Sequence, residues 1–441
     1  MNVEAEFGRN LGQDLPYSRK RSRIRNRQSR EKKVAVEATS EIIDHQEFTD
    51  LNWYSAWLSR QRANLPAVVR NLRIHGDCLS QDTAFKALYN VLEDYARNNR
   101  GFSIDDVIEH LHANNIFGND SEETTDAKRL LVFSILGWQS MIYQPDFNVC
   151  PSNQLVIHHE VGDPDSGLVY DTYTVPAEMS DRPLYVLLKG FGNLLPARSS
   201  NTAMAAVESS KAAASWTALY PDELNAYLLH TLLRVRFRWV DTLALHLDYD
   251  KSSRTLSLFS FPSMCISQLG THSGTIFAFA STEVNAADPR ADEADIAHFL
   301  QEVLLSFRLL FGQSVKSRKL FRYIFDPAEV PFPQSDTLLS HLCSEKLPIA
   351  GAEGVGWMPR DKHVYYAARD FPVLYERVEL LAKELNGARP TSMKDLLRDR
   401  RDTLQFWTFW LVSIIGGVSI SLSMIQVILQ AIQIAQAAGK I

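Results

Sequence analysis

The residues with the clearest potential for metal chemistry lie close together near residue 160. They are His158, His159, Glu160, Asp163 and Asp165. Alternate residues of a strand share a face, so His158 and Glu160 could offer one ion the imidazole and carboxylate ligands that zinc accepts. The same residues also flank a turn rich in Gly and Asp, where polar side chains are solvated. We favour the solvated turn and predict no metal site.

Two glycine-containing stretches match functional motifs only in part. Lys189-Gly-Phe-Gly192 follows a predicted strand, but Leu195 replaces the third glycine of a dinucleotide fingerprint. Gly270-Thr-His-Ser-Gly274 has its serine one position too late for a nucleophile elbow. The sequence also contains no Walker A and no HExxH pattern. We therefore predict no catalytic or cofactor-binding residues, and an enzyme with dispersed catalytic residues stays open as an alternative.

The four cysteines and the first residues of the chain indicate a reducing compartment. Cys78, Cys150, Cys265 and Cys343 are at least 72 residues apart, which disfavours a cysteine zinc site and suits an intracellular protein. Residues 1–10 lack the apolar core of a secretory signal. We expect the exposed part of the protein in the cytosol or nucleus.

Residues 1–45 are predicted to be a disordered basic arm. Residues 1–33 hold ten Lys or Arg against four acids, whereas the whole chain has a formal net charge of −6. The central basic positions are Arg19, Lys20, Arg21, Arg23, Arg25 and Arg27. The arm could direct nuclear import, contact anionic lipid, bind nucleic acid without specificity, or remain a solvated tail. Stacking on bases is unsupported, because Tyr17 is the only aromatic residue near these cations.

The body of the chain predicts an α+β fold with a helical N-terminal part and a mixed α/β middle containing hairpins. We predict a helical subdomain over 46–150 and an α+β domain over 151–390. Apolar spacing predicts helices in the first, and alternation with turn signals predicts strands and further helices in the second. The helices are predicted over 82–98, 104–113, 125–143, 201–220, 221–236, 291–311 and 371–386. The strands are predicted over 155–160, 168–175, 184–188, 243–249 and 255–261.

The C-terminal segment predicts one transmembrane helix over 406–430, followed by a short tail over 431–441. No charged residue occurs from Thr403 to Gly439. Twenty helical residues span about 30 Å, which matches the hydrocarbon core of a bilayer. An aromatic belt at the membrane interface is predicted at the start of the helix, formed by Phe406, Trp407, Phe409 and Trp410. The alternative is a buried core helix of a soluble domain.

Flanking charge predicts the orientation of this helix. Residues 391–405 form a basic juxtamembrane linker with Lys394, Arg398, Arg400 and Arg401, whereas only Lys440 follows the helix. The positive-inside rule then places the N-terminal side in the cytosol or nucleoplasm. Because few residues follow the span, we expect a tail anchor inserted after translation. The endoplasmic reticulum and the nuclear envelope are the favoured membranes, including the inner nuclear membrane if the arm directs import.

A stripe of small and polar residues follows one side of the predicted helix. This polar stripe comprises Gly416, Ser419, Ser423, Gln426, Gln430 and Gln433, which recur with a period of 3.5 residues. Amides facing lipid would lose hydrogen bonds, so the stripe predicts a homo- or hetero-oligomer along it. A competing row on the opposite side consists of Ser413, Gly417 and Ser421. Alternatively, the glutamines lie among lipid headgroups and are hydrated.

Four stretches resemble a group of uncharacterised proteins common in filamentous fungi. They are Phe133–Gln139, Leu247–Pro262, Leu304–Gly312 with Ser317–Phe321, and Arg398–Trp410. The resemblance covers roughly residues 125–430 and excludes the basic arm. It implies membrane association and no particular catalytic activity. Together with the predicted anchor, it leads us to expect a single-pass membrane protein whose body is an interaction or scaffolding module.

Overall fold

The computed structural model describes most of the chain that follows the basic arm. The described residues are 51–117, 124–147, 153–157, 173–191, 194, 217–269, 293–324, 336–345, 357–388 and 403–439. We call the described residues from 51 to 388 the body. Residues 48–441 group into one compact unit. The arm, the linker up to residue 402 and most of the helix predicted over 201–220 lie outside the described residues, and the boundary at residue 150 stays a prediction.

Helices dominate the first part of the body. In chain order its elements are α1 (Asn52–Ala63), α2 (Ala67–Arg70), β1 (Arg73–Ile74), β2 (Asp77–Cys78), α3 (Asp82–Asn98), α4 (Ile104–Ala113) and α5 (Thr125–Ser140). The predicted bounds of α3 and α4 are confirmed. They could be read from the sequence because both helices bury one apolar stripe and expose the opposite side.

Local hydrogen bonds explain where these helices begin and end. Ser103 caps α4 as predicted: its Oγ accepts the Asp106 N–H at 3.0 Å, and the Asp106 carboxylate accepts the Ser103 N–H at 2.8 Å. α5 ends at Ser140, three residues before the predicted end. The reason is that Met141 adopts a left-handed conformation with φ of 52°, which stops the helix.

Strands and helices alternate in the second part of the body. In chain order its elements are β3 (Gln154–Ile157), β4 (Tyr173–Pro176), α6 (Leu184–Gly190), β5 (Ala218–Leu219), α7 (Ala226–Leu232), β6 (Arg236–Val240), β7 (Tyr249–Asp250), β8 (Thr255–Phe259), α8 (Pro262–Leu269), α9 (Glu293–Phe307), α10 (Val315–Ile324), α11 (Thr337–Leu342), β9 (Tyr365–Tyr366), α12 (Ala367–Asp370) and α13 (Tyr375–Gly387). A last helix, α14 (Thr403–Ala438), follows the body. The predicted α+β class with one long C-terminal helix is confirmed.

The strands form small sheets rather than one large one. β3 and β4 pair antiparallel from Gln154 opposite Pro176 to Ile157 opposite Tyr173, which confirms the first predicted hairpin pairing. β8 lies at the centre of a three-stranded sheet, parallel to β6 and antiparallel to β7. All five residues of β8 are buried, as expected for a central strand covered on both faces.

Two short apolar runs are helical where strands were predicted. Leu184–Leu188 belongs to α6, and its buried leucines at 184, 187 and 188 follow helical spacing. Leu243–Leu245 is a 3-10 turn, and Leu247 has a φ of 60°, so Tyr249 is the only residue of the predicted strand in the ladder with β8, and Asp250 extends that pairing by one residue. Short apolar runs fit a strand and a buried helical turn equally well, which explains both errors.

Three predicted helices have different bounds in the structure. The helix predicted over 221–236 is shorter: Asn225 caps α7, and the chain enters β6 at Arg236. The helix predicted over 291–311 is confirmed as α9, which continues into a π-helical turn over Arg308–Gly312. The helix predicted over 371–386 begins later, at Tyr375, because Ala367–Asp370 forms the separate helix α12.

Tryptophans of α1 join the helical part of the body to the sheet region. The Trp53 ring stacks on Phe261 with centroids 3.9 Å apart, and its Nε1 donates to the Ser263 Oγ at 2.8 Å. The Trp57 Nε1 donates to the Asp241 carboxylate at 2.8 Å. Both indole rings are buried, so α1 is held by apolar packing and by two satisfied polar atoms.

Candidate functional site

The C-terminal helix α14 has the properties required to cross a membrane. It extends over 36 residues, several times the length of most helices of the body. Within it, Trp407–Ala437 forms a 31-residue apolar segment, whose most apolar window has a mean hydropathy of 2.1 and no residue buried against the described part of the chain. About 20 apolar helical residues are sufficient to span a hydrocarbon core.

The apolar side chains of α14 are exposed on all sides. Sixteen large apolar side chains of this helix are exposed, against five in the body. Ile420, near the middle of the segment, has 66% of its surface exposed. Soluble proteins rarely expose an apolar surface of this extent. A core helix of a soluble domain would be covered by its neighbours, so this environment argues against the buried alternative.

The apolar segment is longer than a bilayer requires. At 1.5 Å per residue, 31 residues extend about 46 Å, whereas the hydrocarbon core is about 30 Å thick. If Trp407 lies at one interface, twenty residues reach Gln426. The helix must then tilt, or its last turns must enter the headgroup region.

Part of the predicted membrane site lies within the described residues. Trp407 and Trp410 are exposed in the first turns of α14, and the Phe409 and Trp410 rings meet edge to face at 6.2 Å. This placement fits the predicted aromatic belt, to which Phe406 also belongs. The predicted topology charges Lys394, Arg398, Arg400 and Arg401 lie outside the described residues, as does the basic arm.

Hydroxyl groups on α14 form hydrogen bonds within the helix itself. The Ser419 and Ser423 hydroxyls, which belong to the polar stripe, donate to the carbonyls of Ile415 and Ser419, both at 2.9 Å. The Ser421 hydroxyl of the competing row donates to the Gly417 carbonyl in the same way. These serine hydroxyls therefore need no hydrogen-bonding partner in another chain. The side-chain amides of Gln426, Gln430 and Gln433 are the groups of the polar stripe that still need a partner.

The amide groups of the polar stripe are concentrated at the distal end of α14. Among the described residues, the side chains of Gln426, Gln430 and Gln433 make no hydrogen bond, and all three are exposed. An amide surrounded by lipid needs a hydrogen-bonding partner, whereas an amide among headgroups can bind water. The depth of these three glutamines in the bilayer therefore decides whether the polar stripe binds a second helix or only water.

A serine and a histidine meet in the core of the body, and sequence analysis did not identify this pair. The His246 Nε2 lies 2.7 Å from the Ser306 Oγ, and the His246 Nδ1 accepts the Phe259 N–H at 3.2 Å. The Ser306 hydroxyl also donates to the Val303 carbonyl at 2.7 Å. Both side chains are buried in the core. Spacing in sequence gives no sign of the contact, because 60 residues separate the two.

The protonation state of this pair does not suit nucleophilic catalysis. Because Nδ1 accepts a backbone N–H, the proton of the neutral imidazole must lie on Nε2, where it points at Ser306. Burial, with a smaller effect from the Arg377 charge, lowers the pKa of His246 to about 3. A general base would instead need a free Nε2 lone pair facing the serine. The pair therefore acts as a structural contact.

A buried aspartate fixes the start of helix α11. The Asp336 carboxylate accepts the Ser263 N–H at 2.6 Å and the Leu338 N–H at 2.9 Å. Burial raises the pKa of Asp336 to about 6, and the N–H donors limit the rise. Burial likewise raises the pKa of the nearby Cys265 thiol. A buried thiol with a raised pKa is a poor nucleophile.

Arg308 joins three segments of the body from within the π-helical turn. Its guanidinium bonds the Asp361 carboxylate through two nitrogens, at 2.8 and 2.7 Å, and donates to the carbonyls of Leu342 and Ser344. Burial opposes ionisation of Asp361, but the guanidinium holds the pKa of that carboxyl below its usual value. Gly312 lies against this cation, because an added Cβ would be 2.5 Å from the Arg308 Nη1. The arrangement is a structural clamp.

The described residues contain no metal centre, and comparisons with known proteins assign no family. No group of three or more His, Cys, Asp or Glu among the described residues could hold a metal ion. The predicted solvated turn at residues 158–165 lies outside the described part. No protein-family model, curated protein or solved structure matches this chain. The resemblance to filamentous-fungal proteins therefore stays a prediction.

We predict that His246→Gln weakens the loss of stability in mild acid. In the unfolded chain a histidine titrates near pH 6.5, whereas burial keeps the native His246 neutral down to about pH 3. Between these values the unfolded state binds more protons, so lowering the pH favours unfolding. From pH 7 to pH 5 this residue should lower the free energy of unfolding by about 2 kcal/mol.

Urea unfolding of the detergent-solubilised chain at both pH values would measure this effect. His246→Gln should be less stable than the wild type at pH 7 and should lose about 2 kcal/mol less on acidification. Replacement of the exposed His110 by Gln is the matched control and should leave the acid sensitivity unchanged. Equal acid sensitivity in the wild type and His246→Gln would contradict the neutral buried imidazole.

Proposed function

We propose that α14 anchors this protein in a membrane and that the body faces the cytosol or nucleoplasm as an interaction or scaffolding module. The observation that carries the proposal is the apolar surface of α14, which the other described residues leave uncovered. Each of its sixteen exposed large apolar side chains contributes on the order of 1 kcal/mol when it moves from water into hydrocarbon. The sum is larger than the stability of most domains.

Charge around α14 supports the proposed orientation. The residues just before it include Lys394, Arg398, Arg400 and Arg401, and the single cation after it is Lys440. Positively charged flanks remain on the cytosolic side during insertion. The body, which precedes the linker, is then cytosolic or nucleoplasmic.

The charged groups described inside the body serve the fold rather than a catalytic centre. The Glu302 carboxylate accepts backbone N–H groups at the start of α13, and Asp105 pairs with Arg129 and Ser180. With the Arg308 clamp, these charged groups are used to fix the fold. A site for catalysis instead tends to bring perturbed groups together in an open cleft.

We expect two arginines in the middle of α14 to weaken its insertion, so that a larger fraction of the protein is released from membranes. Each arginine near the centre of a membrane helix costs about 2.5 to 3.5 kcal/mol. Ile420→Arg with Met424→Arg places both charges on one side of the helix, one turn apart. Ile420→Leu with Met424→Leu is the control of matched position and similar size.

Alkaline extraction of membranes from expressing cells would measure this release. The wild type and the leucine variant should stay in the membrane pellet, and the arginine variant should shift to the supernatant. A wild-type protein that is extracted as readily as the arginine variant would refute anchoring by α14.

We also propose that α14 associates laterally through Gln426 and Gln430 when both lie within the hydrocarbon. The intrahelical bonds of Ser419 and Ser423 leave these amides as the polar groups that benefit most from a second chain. A homo- or hetero-oligomer would satisfy their donors and acceptors. If they lie among headgroups, water satisfies them and no association follows.

Substitution of these residues should separate the two outcomes. Gln426→Leu with Gln430→Leu should reduce self-association of the full chain in a membrane reporter assay. Ser419→Ala with Ser423→Ala is the control and should change nothing, because those hydroxyls bond within their own helix. Unchanged association of the glutamine variant would exclude the polar stripe as the contact.

A further inference from the structure

Helix α10 has a fixed inner side, which determines which residues it presents outward. Ser317 and Phe321 are its buried residues, one helical turn apart. The Ser317 Oγ accepts the Tyr227 N–H at 3.1 Å and donates to the Asn225 amide oxygen at 3.2 Å. The Phe321 ring packs edge to face against Trp239 with centroids 6.0 Å apart. These contacts hold the helix in one rotational orientation.

The outward side of α10 combines positive charge with apolar groups. At 100° per residue, five residues fall within about 60° of the direction opposite the buried line. We call them the basic face of α10: Val315, Lys316, Lys319, Arg322 and Tyr323. All five are exposed, and Tyr323 has 83% of its surface exposed.

Nothing described in the body neutralises this charge. α10 contains no acidic residue. Arg318 of α10 forms an ion pair with Glu345 at 3.6 Å, but Arg318 does not belong to the basic face. Its side chain lies at the side of the helix and is largely buried. Lys316 lies 4.9 Å from the centre of the Tyr227 ring, and Lys319 and Arg322 have no ion pair with the described residues. The basic face is therefore a local patch of charge +3 on a chain whose net charge is −6.

This composition fits a membrane surface better than a soluble partner. Lysine and arginine reach anionic headgroups while a tyrosine and an aliphatic residue enter the boundary between headgroups and acyl chains. Fourteen residues join Ala388 to Thr403, and they span at most about 50 Å when fully extended. An anchored α14 therefore keeps the whole body close to the bilayer, which raises the effective concentration of a weak surface contact.

We propose that the basic face of α10 is a second membrane contact, which binds anionic lipid headgroups and lays one side of the body on the bilayer. The proposal rests on anchoring by α14. Each cation near an anionic surface favours the bound state about fivefold. Removal of all three should therefore reduce the ratio of bound to free body about a hundredfold.

The test uses the full chain with a fluorophore beside the basic face. An environment-sensitive dye is attached to a cysteine introduced by Val315→Cys. Cys78→Ser and Cys150→Ser remove two other thiols that could react with the dye, and the remaining Cys265 and Cys343 are buried. The protein is reconstituted in vesicles of phosphatidylcholine, with or without phosphatidylserine. We expect a blue shift of dye emission only with phosphatidylserine, reversed by high salt because surface charge is screened.

Two charge variants show whether the basic face is specific. Lys316→Gln, Lys319→Gln and Arg322→Gln together should abolish the shift. Replacement of the exposed Arg60, Lys86 and Lys383 by Gln lowers the net charge equally and should preserve it. Thermal unfolding should be unchanged in both variants, because Ser317 and Phe321 still hold α10.

Vesicle flotation of the same samples separates this proposal from anchoring. Flotation without a phosphatidylserine-dependent shift would overturn the contact at α10 and leave anchoring intact. A shift with phosphatidylserine but no flotation on neutral vesicles would support the contact and refute anchoring. A shift caused by polyglutamate or RNA but not by phosphatidylserine would overturn the lipid contact in favour of that class of partner.

Discussion

The long C-terminal helix creates the main physical constraint on this protein, because its apolar surface needs an environment that the described residues do not supply. No charge occurs between Thr403 and Gly439, and sixteen large apolar side chains, which lie on all sides of α14, are exposed in the described part of the protein. A narrow apolar stripe could be covered by one neighbouring element, but a helix that is apolar on all sides needs a shell. A bilayer provides such a shell, and backbone hydrogen bonding within the helix satisfies the polar groups of the main chain there.

Several buried polar groups of the body are bonded to other residues of the body. Its buried charged groups have partners within the body, as the Arg308 clamp and the bonds from Glu302 to the start of α13 show. The indole nitrogens of Trp53 and Trp57 are also paired. Buried polar groups with satisfied bonds specify one arrangement of the surrounding segments. The hydrogen bonds named here fix parts of the body without using residues of α14.

Sequence patterns predicted the elements with strong local signals and failed where contacts distant in sequence decide the structure. The amphipathic helix α3 and the Ser103 cap of α4 followed from local spacing. Leu184–Leu188 was misassigned, because a five-residue apolar run fits a strand and a helical turn alike.

Among the site residues, the span was predictable because its signal is a long uncharged segment. The basic face of α10 was not, because the sequence does not reveal that Ser317 and Phe321 point inward. Their partners Asn225 and Trp239 lie more than 80 residues earlier in the chain. Similarly, the contact between His246 and Ser306 depends on folding and leaves no trace in local spacing.

The most direct test of a membrane-crossing α14 is glycosylation at its two ends during insertion into endoplasmic reticulum membranes. Asn119-Asp-Ser121 is a natural acceptor sequence between α4 and α5, and a spacer with an Asn-Gly-Thr acceptor can be added after Ile441. We expect a glycan on the added acceptor and none on Asn119, because only the distal end reaches the lumen. A glycan on Asn119 would contradict the orientation, and no glycan at either site would contradict a crossing helix.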